Sequence, residues 1–297
     1  MTLKEAYQQG KDVLVKTGTP DADLDAWLLL EYVSKISRAM YYAIPDKPLT
    51  QDEESQYLHY IERRAQHIPL QHLTGVQEFM GLEFQVNEHV LIPRQDTELL
   101  AEEALKIIGE AVKGRPEGTF EPAGGRYRLL DMCTGSGCIL LSILHHAGKS
   151  AKMKIKGTGA DISQKALETA QANADSLHIQ AEFLCSDLFE QVTGQYEMIV
   201  SNPPYIRTDV IETLQEEVKN HDPILALDGK EDGLHFYRRI IEAADKYLTK
   251  GGCLVFEIGA DQGEAVSSMM GCAGYHNVIV KKDLAGLDRV VTGVYDR

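Results

Sequence analysis

The sequence predicts an α/β protein: a doubly wound, mostly parallel sheet of seven strands, preceded by a small N-terminal helical domain that a β-hairpin joins to it. Three observations predict it. From Thr2 to about Leu73 apolar residues recur at helical spacing. Between Gly75 and Pro93 that period gives way to short β-like runs. From Arg128 onward short apolar strands alternate with helical segments, the pattern of a parallel sheet covered on both faces.

In the first segment Leu3, Ala6 and Tyr7 share one helical face, as do Leu24, Leu28 and Tyr32, then Leu58, Ile61 and Ala65. Asp21 and Thr50 stand where helix N-caps are expected, and Thr50 with Glu53 has the Thr-x-x-Glu spacing of a capping box. Pro20, Pro45 and Pro48 punctuate between helices. The hairpin reads as Glu78-Phe79-Met80 and Phe84-Gln85-Val86 around Gly81-Leu82, followed by a further β-like run at Val90-Leu91-Ile92. A helix resumes over Thr97 to Val112, and Gly109 to Arg126, rich in Gly, Pro and charge, reads as a flexible surface excursion. Strands are then expected at about Arg128 to Met132, Lys154 to Ala160, Ala181 to Leu184, Glu197 to Val200 and Cys253 to Ile258, with helices starting at Ile139, Ser163, Leu234 and Gln262. Asn277 to Val280 and Arg289 to Tyr295 close the sheet as an antiparallel pair. The expected boundaries are 1–74 for the helical domain, 75–93 for the hairpin linker and 94–297 for the sheet domain.

Composition narrows the function. With 43% hydrophobic and 25% charged residues, the 297-residue chain can bury a core and is not a disordered segment. No run approaches the roughly 18 apolar residues that span a bilayer, and the first ten residues lack the apolar core of a secretion signal, so a cytoplasmic protein without a membrane partner is expected. The five cysteines form no CxxC pair and are expected to be reduced core residues. His145 and His146 are adjacent and point about 100° apart on a helix, so no metal site is expected there. A net charge of −15 argues against broad contact with a phosphate backbone, since that affinity comes mainly from Lys and Arg displacing counterions. Nor is the N-terminal segment a basic arm, with 8 Lys+Arg against 12 Asp+Glu in residues 1–80. No direct nucleic-acid substrate is expected.

The chemistry gathers at strand ends. The first strand of the sheet domain runs into Asp131-Met132-Cys133-Thr134-Gly135-Ser136-Gly137 and at once into an apolar helix. Glycines there let the backbone approach a ligand, and the helix N-terminus presents unpaired N–H groups to it. The third glycine of a dinucleotide fingerprint is replaced by Ile139 or Leu140, which disfavours NAD. Asp161 ends the second strand, where a carboxylate can accept from both hydroxyls of a ribose, cap the following helix, or do both. Asp187 follows the third strand, where it can read an adenine amino group while Leu188 packs on the ring. The fourth strand ends in Asn202-Pro203-Pro204-Tyr205, the most specific signal in the chain. Two prolines remove two N–H donors and stiffen the backbone, so carbonyls before and at Pro203 are free to accept. Asn202 adds a side-chain carbonyl and Tyr205 a flat apolar face, which together make a slot for a planar group bearing –NH₂.

On these residues the chain resembles the PrmC/HemK family, the glutamine methyltransferases of peptide-chain release factors. The resemblance covers most of the chain. It runs through Ile92 to Glu98, the Asp131 to Gly137 turn, Ala160 to Ser163, Ser186 to Phe189, Ser201 to Ile206, Asp232-Gly233-Leu234, Phe256 to Gly259 and Lys282 to Arg289. Departures are mild: Gln95 stands where a Pro is usual, Asp222-Pro223 replaces Glu-Pro, and the excursion at 109–126 is longer. The resemblance implies a class I S-adenosylmethionine-dependent methyltransferase sheet and a substrate-recognising helical domain. It implies cofactor contacts at Cys133, Thr134, Gly135, Ser136, Gly137, Asp161, Leu188 and Asn202, to which the strand-end reading adds Asp187. It implies glutamine contacts at Asn202, Pro203, Pro204 and Tyr205, with Asn202, Pro203 and Tyr205 the catalytic set. The implied substrate is the glutamine of the Gly-Gly-Gln motif of release factors.

An amide nitrogen is a weak nucleophile, so such an enzyme must chiefly position and desolvate. If the Asn202 side-chain oxygen and the Pro203 carbonyl accept the two amide hydrogens, the nitrogen is held in line with the methyl donor, and Tyr205 would stack on the amide plane. An adenine amino-nitrogen methyltransferase acting on DNA or RNA is the alternative, because adenine presents the same planar –NH₂. It would have to extrude a base and hold a backbone, which the acidic balance disfavours. A cofactor-binding regulator without turnover is weaker, since the slot keeps all its acceptors.

Overall fold

The computed structural model describes residues 1–113, 127–150 and 155–296, and the chain divides into two compact units: residues 1–76 with 215–221, and residues 77–214 with 222–297. The first unit is helical: α1 (Leu3–Lys16), α2 (Ala22–Ser34), α3 (Arg38–Ala43), α4 (Gln51–Arg64) and α5 (Leu70–Thr74). Thr2 with Glu5 and Thr50 with Glu53 form complete capping boxes, satisfying donors that a helix start leaves orphaned. Asp21 occupies the N-cap position of α2, but its side chain makes no capping bond. The buried face of α2 is carried by Ala26, Trp27, Leu29 and Leu30, and Leu24, expected on that face, is 47% exposed. Arg64, 4% exposed, donates from Nε to Asp25 at 2.7 Å and pairs through Nη2 with Glu217 at 2.9 Å, so two carboxylates answer one buried guanidinium.

The hairpin strands are β1 (Val76–Phe79), which belongs to the second unit from Gln77 on, and β2 (Leu82–Gln85). Met80 and Gly81 between them both have positive φ, 54° and 71°, as a two-residue hairpin turn that follows strand twist requires. Phe79 and Phe84 are buried in the sheet domain's core. The run at 90–92, expected to be β-like, forms no strand. Helix α6 (Gln95–Lys113) runs through residues 109–113, so that part of the expected excursion is helical; the remainder, 114–126, lies outside the described residues, as does Lys154.

The sheet holds β3 (Tyr127–Met132), β4 (Ile155–Asp161), β5 (Glu182–Cys185), β6 (Tyr196–Ser201), β7 (Leu248–Glu257), β8 (Tyr275–Lys282) and β9 (Asp288–Tyr295), in the spatial order β5-β4-β3-β6-β7-β9-β8. The first five pair in parallel, β9 lies antiparallel to β7, and β8 is antiparallel to β9. Helices α7 (Cys138–Ser150) and α8 (Gln164–Ser176) follow β3 and β4, and α12 (His235–Ala244) and α13 (Gly263–Cys272) flank β7. Three short helices that the pattern did not announce, α9 (Thr208–Ile211), α10 (Glu216–His221) and α11 (Ile224–Leu227), lie between β6 and α12. This is the seven-stranded class I methyltransferase sheet. Strand order reverses between β3 and β6, and the register sets Met132 opposite both Ala160 and Ser201, and Asp161 opposite Cys185. The C-terminal ends of β3, β4, β5 and β6 thus share one edge at a switch point, where open α/β sheets bind ligands.

Among the described residues no helix is long and apolar enough to cross a membrane. All five cysteines are free; Cys138 and Cys253 are buried, but Cys185 and Cys272 are exposed, so the expectation that all five are core residues fails for those two.

Candidate active site

A cleft opens at that edge. Of the residues singled out in the sequence, Cys133, Thr134, Gly135, Ser136, Asp161, Asp187, Leu188, Asn202 and Pro204 line it, whereas Gly137, Pro203 and Tyr205 do not.

The turn after β3 is built for close approach. Cys133 and Gly135 both have positive φ, and a Cβ added at Gly135 would meet no atom within 4 Å, so the backbone there borders open space. Gly137 does a different job: it bonds back to the Thr134 carbonyl at 2.8 Å, and a Cβ on it would come within 3.2 Å of the Ala170 methyl on α8. It lets α7 pack rather than facing the cleft.

Asp161 braces this turn. One carboxylate oxygen accepts from the Gly135 N–H and the other from the Ser163 N–H, each at 2.9 Å. The capping of α8 falls to Ser163, whose hydroxyl accepts from the Ala166 N–H at 3.2 Å. Burial pushes the Asp161 carboxyl up, while the N–H groups of Ser163, Gly135 and Ile162 pull it down. Asp187 pairs with Arg239 at 3.0 Å on the cleft wall. Leu188, 6% exposed, holds a left-handed backbone that the Ser186 hydroxyl fixes by donating to its carbonyl at 2.7 Å.

Asp131 lies behind the turn, fully buried, and accepts from the Thr134 hydroxyl at 2.6 Å. Burial pushes its carboxyl up from an ordinary 3.8 to about 7, the charge of Asp161 adds to the rise, and the Thr134 hydroxyl opposes it. A raised acid binds a proton in the folded state that the unfolded chain has already lost, so this group's contribution to stability declines as pH rises from about 4 to about 7 and is fully lost above that window. Asp131→Asn removes the effect. The Tm difference between variant and wild type is expected to move in the variant's favour as pH rises through that window; a difference independent of pH in thermal melts would refute it.

At the end of β6, Asn202 donates from Nδ2 to the Thr97 hydroxyl at 3.4 Å, which leaves Oδ1 as the acceptor its amide can offer to the cleft. Tyr205 turns to the core side, where its hydroxyl donates to Glu257 Oε1 at 3.3 Å. Its carbonyl accepts from Gln262 Nε2 at 3.0 Å. Glu257, 2% exposed, is pushed up to about 7 by burial; the Thr97 hydroxyl beside it, the Arg289 charge and the Tyr205 hydroxyl act the other way.

Several lining residues had no chemical label in the sequence. His89, Pro93, Arg94 and Thr97 come from the hairpin exit and the start of α6, and Leu225 and Phe236 from the segment after β6. Arg94 is anchored on Asp222 at 2.6 Å. The run Ile92 to Glu98 carried the only sequence signal for this wall, as a stretch resembling a family motif rather than as chemistry.

Comparison with known proteins places this geometry in a family. Residues 5–75 match the PrmC N-terminal domain, and residues 119–230 match the methyltransferase small domain. A release factor glutamine methyltransferase of Agrobacterium fabrum is 40% identical over 94% of this chain and 92% of its own length. One of Caulobacter vibrioides is 36% identical over 99% of this chain and 96% of its own. Among solved structures, the hMettl16 catalytic domain in complex with the MAT2A 3'UTR hairpin 6 shares the fold, at 14% identity, TM-score 0.53, 84% of this chain and 83% of that one. The release-factor-specific protein-(glutamine-N5) methyltransferase from Alicyclobacillus acidocaldarius is 28% identical over 72% of this chain and all of that one, at TM-score 0.40. With near full-length identity of this order, the chain belongs to the release factor glutamine methyltransferase family, whose members use S-adenosylmethionine.

Proposed function

We propose that this chain transfers a methyl group from S-adenosylmethionine to the side-chain amide nitrogen of the glutamine in the Gly-Gly-Gln motif of peptide-chain release factors, in the cytoplasm. The observation that carries the reading is the Asn202-Pro203-Pro204-Tyr205 turn at a switch-point cleft, with Asn202 Nδ2 engaged by Thr97. The names of the near full-length relatives support it.

The residues present fit the cofactor. An open, Cβ-free backbone at Gly135, a buried carboxylate at Asp161 and an apolar ledge at Leu188 suit a backbone-hugged amino acid part, a ribose and a flat base respectively. Cys133, Thr134, Ser136, Gly137 and Asp187 complete that half, Gly137 by shaping the turn. When bound, the cofactor supplies a methyl group on a sulfonium, a strong electrophile.

The chain's own part is placement. Asn202 Oδ1 and the Pro203 carbonyl accept the two hydrogens of the substrate amide, which fixes the nitrogen's direction and favours the positive charge that builds on it. Pro204 stiffens the slot and excludes water. Tyr205, the expected stacking partner of the amide, holds the turn through its bond to Glu257. Residues 1–74 serve as the substrate-recognising domain, residues 75–93 as a linker and residues 94–297 as the catalytic domain.

A side-by-side methyl-transfer assay with release factor, free ribosomal proteins and duplex DNA as acceptors tests the reading. Label is expected on the release factor glutamine alone. Transfer to adenine in DNA would favour the nucleic-acid alternative, and equal rates from a chain lacking residues 1–74 would refute the role of the helical domain.

A further inference from the structure

Gly233 and Gly259 lie in stretches that resemble family motifs and have no task in the chemistry above, yet one buried side chain ties both to the slot. Gln262, 8% exposed, stands at the N-cap position of α13 but makes no capping bond there. Its amide reaches three loops instead. Nε2 donates to the Tyr205 carbonyl at 3.0 Å and to the Gly233 carbonyl at 3.2 Å, 57 and 29 residues away, and Oε1 accepts from the Gly259 N–H at 2.9 Å. Those loops follow β6, precede α12 and follow β7. Only one orientation of the amide answers all three partners: turned over, it would set oxygen against two carbonyls and donors against an N–H.

The backbone closes tightly around that amide. A Cβ on Gly233, whose φ is +73°, would run into the Tyr205 carbonyl oxygen and come within 2.7 Å of Gln262 Nε2. One on Gly229 would come within 2.7 Å of the Tyr205 backbone, and one on Gly259 within 3.0 Å of Gln262 Oε1. Three glycines thus let three loops meet where a side chain would hold them apart.

The slot needs such an anchor from outside. Pro203 and Pro204 have no N–H with which to tie the turn down, and Asn202 Oδ1 and the Pro203 carbonyl must stay free for the substrate –NH₂. A turn short of donors can still be fixed by its carbonyls, and the first carbonyl beyond the prolines is that of Tyr205. Ser201 secures the other end, its hydroxyl donating to the Met132 carbonyl at 2.7 Å. We propose that Gln262 is a positioning residue that, by donating to the Tyr205 and Gly233 carbonyls, holds the Asn202–Tyr205 turn where its acceptors meet the substrate amide. This rests on the glutamine-methylating reading above. Neither Gln262, Gly233 nor Gly259 lines the cofactor cleft, so the role is separable from cofactor binding.

The test is single-turnover methylation of release factor by Gln262→Met and Gln262→Glu, together with cofactor affinity by calorimetry and thermal melts. Met keeps the length without a donor. At about pH 8.5 the introduced carboxyl is ionised and only accepts. Both variants are then expected to transfer about 10- to 100-fold more slowly at saturating release factor and cofactor, the cost of a displaced catalytic group. Cofactor Kd should move by no more than about twofold, the scatter of independent substitutions. At about pH 6 a buried carboxyl regains its proton and can donate to one carbonyl while still accepting from Gly259, so Gln262→Glu should outpace Gln262→Met by at least about threefold. Comparing the two at one pH cancels the titration of every other group, Glu257 behind Tyr205 and His235 in the groove beside Gln262 included. A merely structural amide would not produce that pH-dependent rescue. Wild-type rates in Gln262→Met overturn the proposal, as does a Gln262→Glu protein no faster than Gln262→Met at about pH 6. Loss of cofactor binding along with transfer in both variants overturns it too, since the amide would then hold the fold rather than the slot. Absence of transfer to release factor by the wild type itself would overturn the functional reading, and this role with it.

Discussion

Asn202→Ala is expected to slow methyl transfer at saturating release factor by about 10²–10³, the cost of deleting one preorganised hydrogen-bond group used in the transition state. Cofactor affinity should fall little. The two properties part because Asn202 ends β6 while the Gly135 turn and Asp161 belong to β3 and β4, and the bonds between Asp161, Gly135 and Ser163 do not involve Asn202. The substitution removes the Oδ1 acceptor and also leaves Thr97 without its Nδ2 donor, so the wall loses both its chemistry and its orientation. Asn202→Asp tests the sign. It keeps an acceptor of the same size but adds a charge beside a sulfonium, which stabilises the ground state and still slows transfer. Single-turnover rates paired with cofactor titration read both effects. Near-normal transfer by Asn202→Ala would show that the amide is not held there.

Asp161→Ala is expected to act on the other half, weakening cofactor binding by about 1.5–3 kcal/mol per charge-assisted hydrogen bond lost, or roughly 10- to 150-fold. Two causes converge. The carboxylate's remaining lone pairs are those proposed for the ribose hydroxyls, and its two oxygens already hold the Gly135 and Ser163 N–H groups. Removing it unties the turn that brings the backbone to the ligand. Asp161→Asn separates the causes, since it keeps one acceptor for a backbone N–H but gives up the charge, and it should fall between wild type and Ala. Transfer at saturating cofactor should change less than the affinity does. A dissociation constant unchanged in Asp161→Ala, measured by calorimetry, would remove Asp161 from the cofactor site.

Much of this protein could be read along the chain because the physics involved is local. The capping box at Thr50 needs only a residue three positions on. The alternation of strands and helices after Arg128 dictates a parallel sheet, and parallel strands must deliver their C-terminal residues to one edge. That rule alone gathers the Gly135 turn, Asp161, Asp187, Leu188 and Asn202. The prolines after Asn202 announce a stiff, donor-poor loop wherever they occur.

What the tertiary structure decided is which partner each polar group meets. Asp187 is answered by Arg239, Tyr205 by Glu257 and Asn202 by Thr97, across 52, 52 and 105 residues. No periodicity encodes such pairs, since they follow from β6 lying beside β7 and from where α6 begins. The same holds for Leu24, apolar and in helical register yet exposed, because Trp27, Leu29 and Leu30 take the buried face of α2. Residue types and local spacing determined what chemistry the strand ends could offer. Strand order and packing, which depend on contacts between distant residues, determined that Tyr205 faces Glu257 behind the cleft wall and that the Asn202 amide is tied to Thr97.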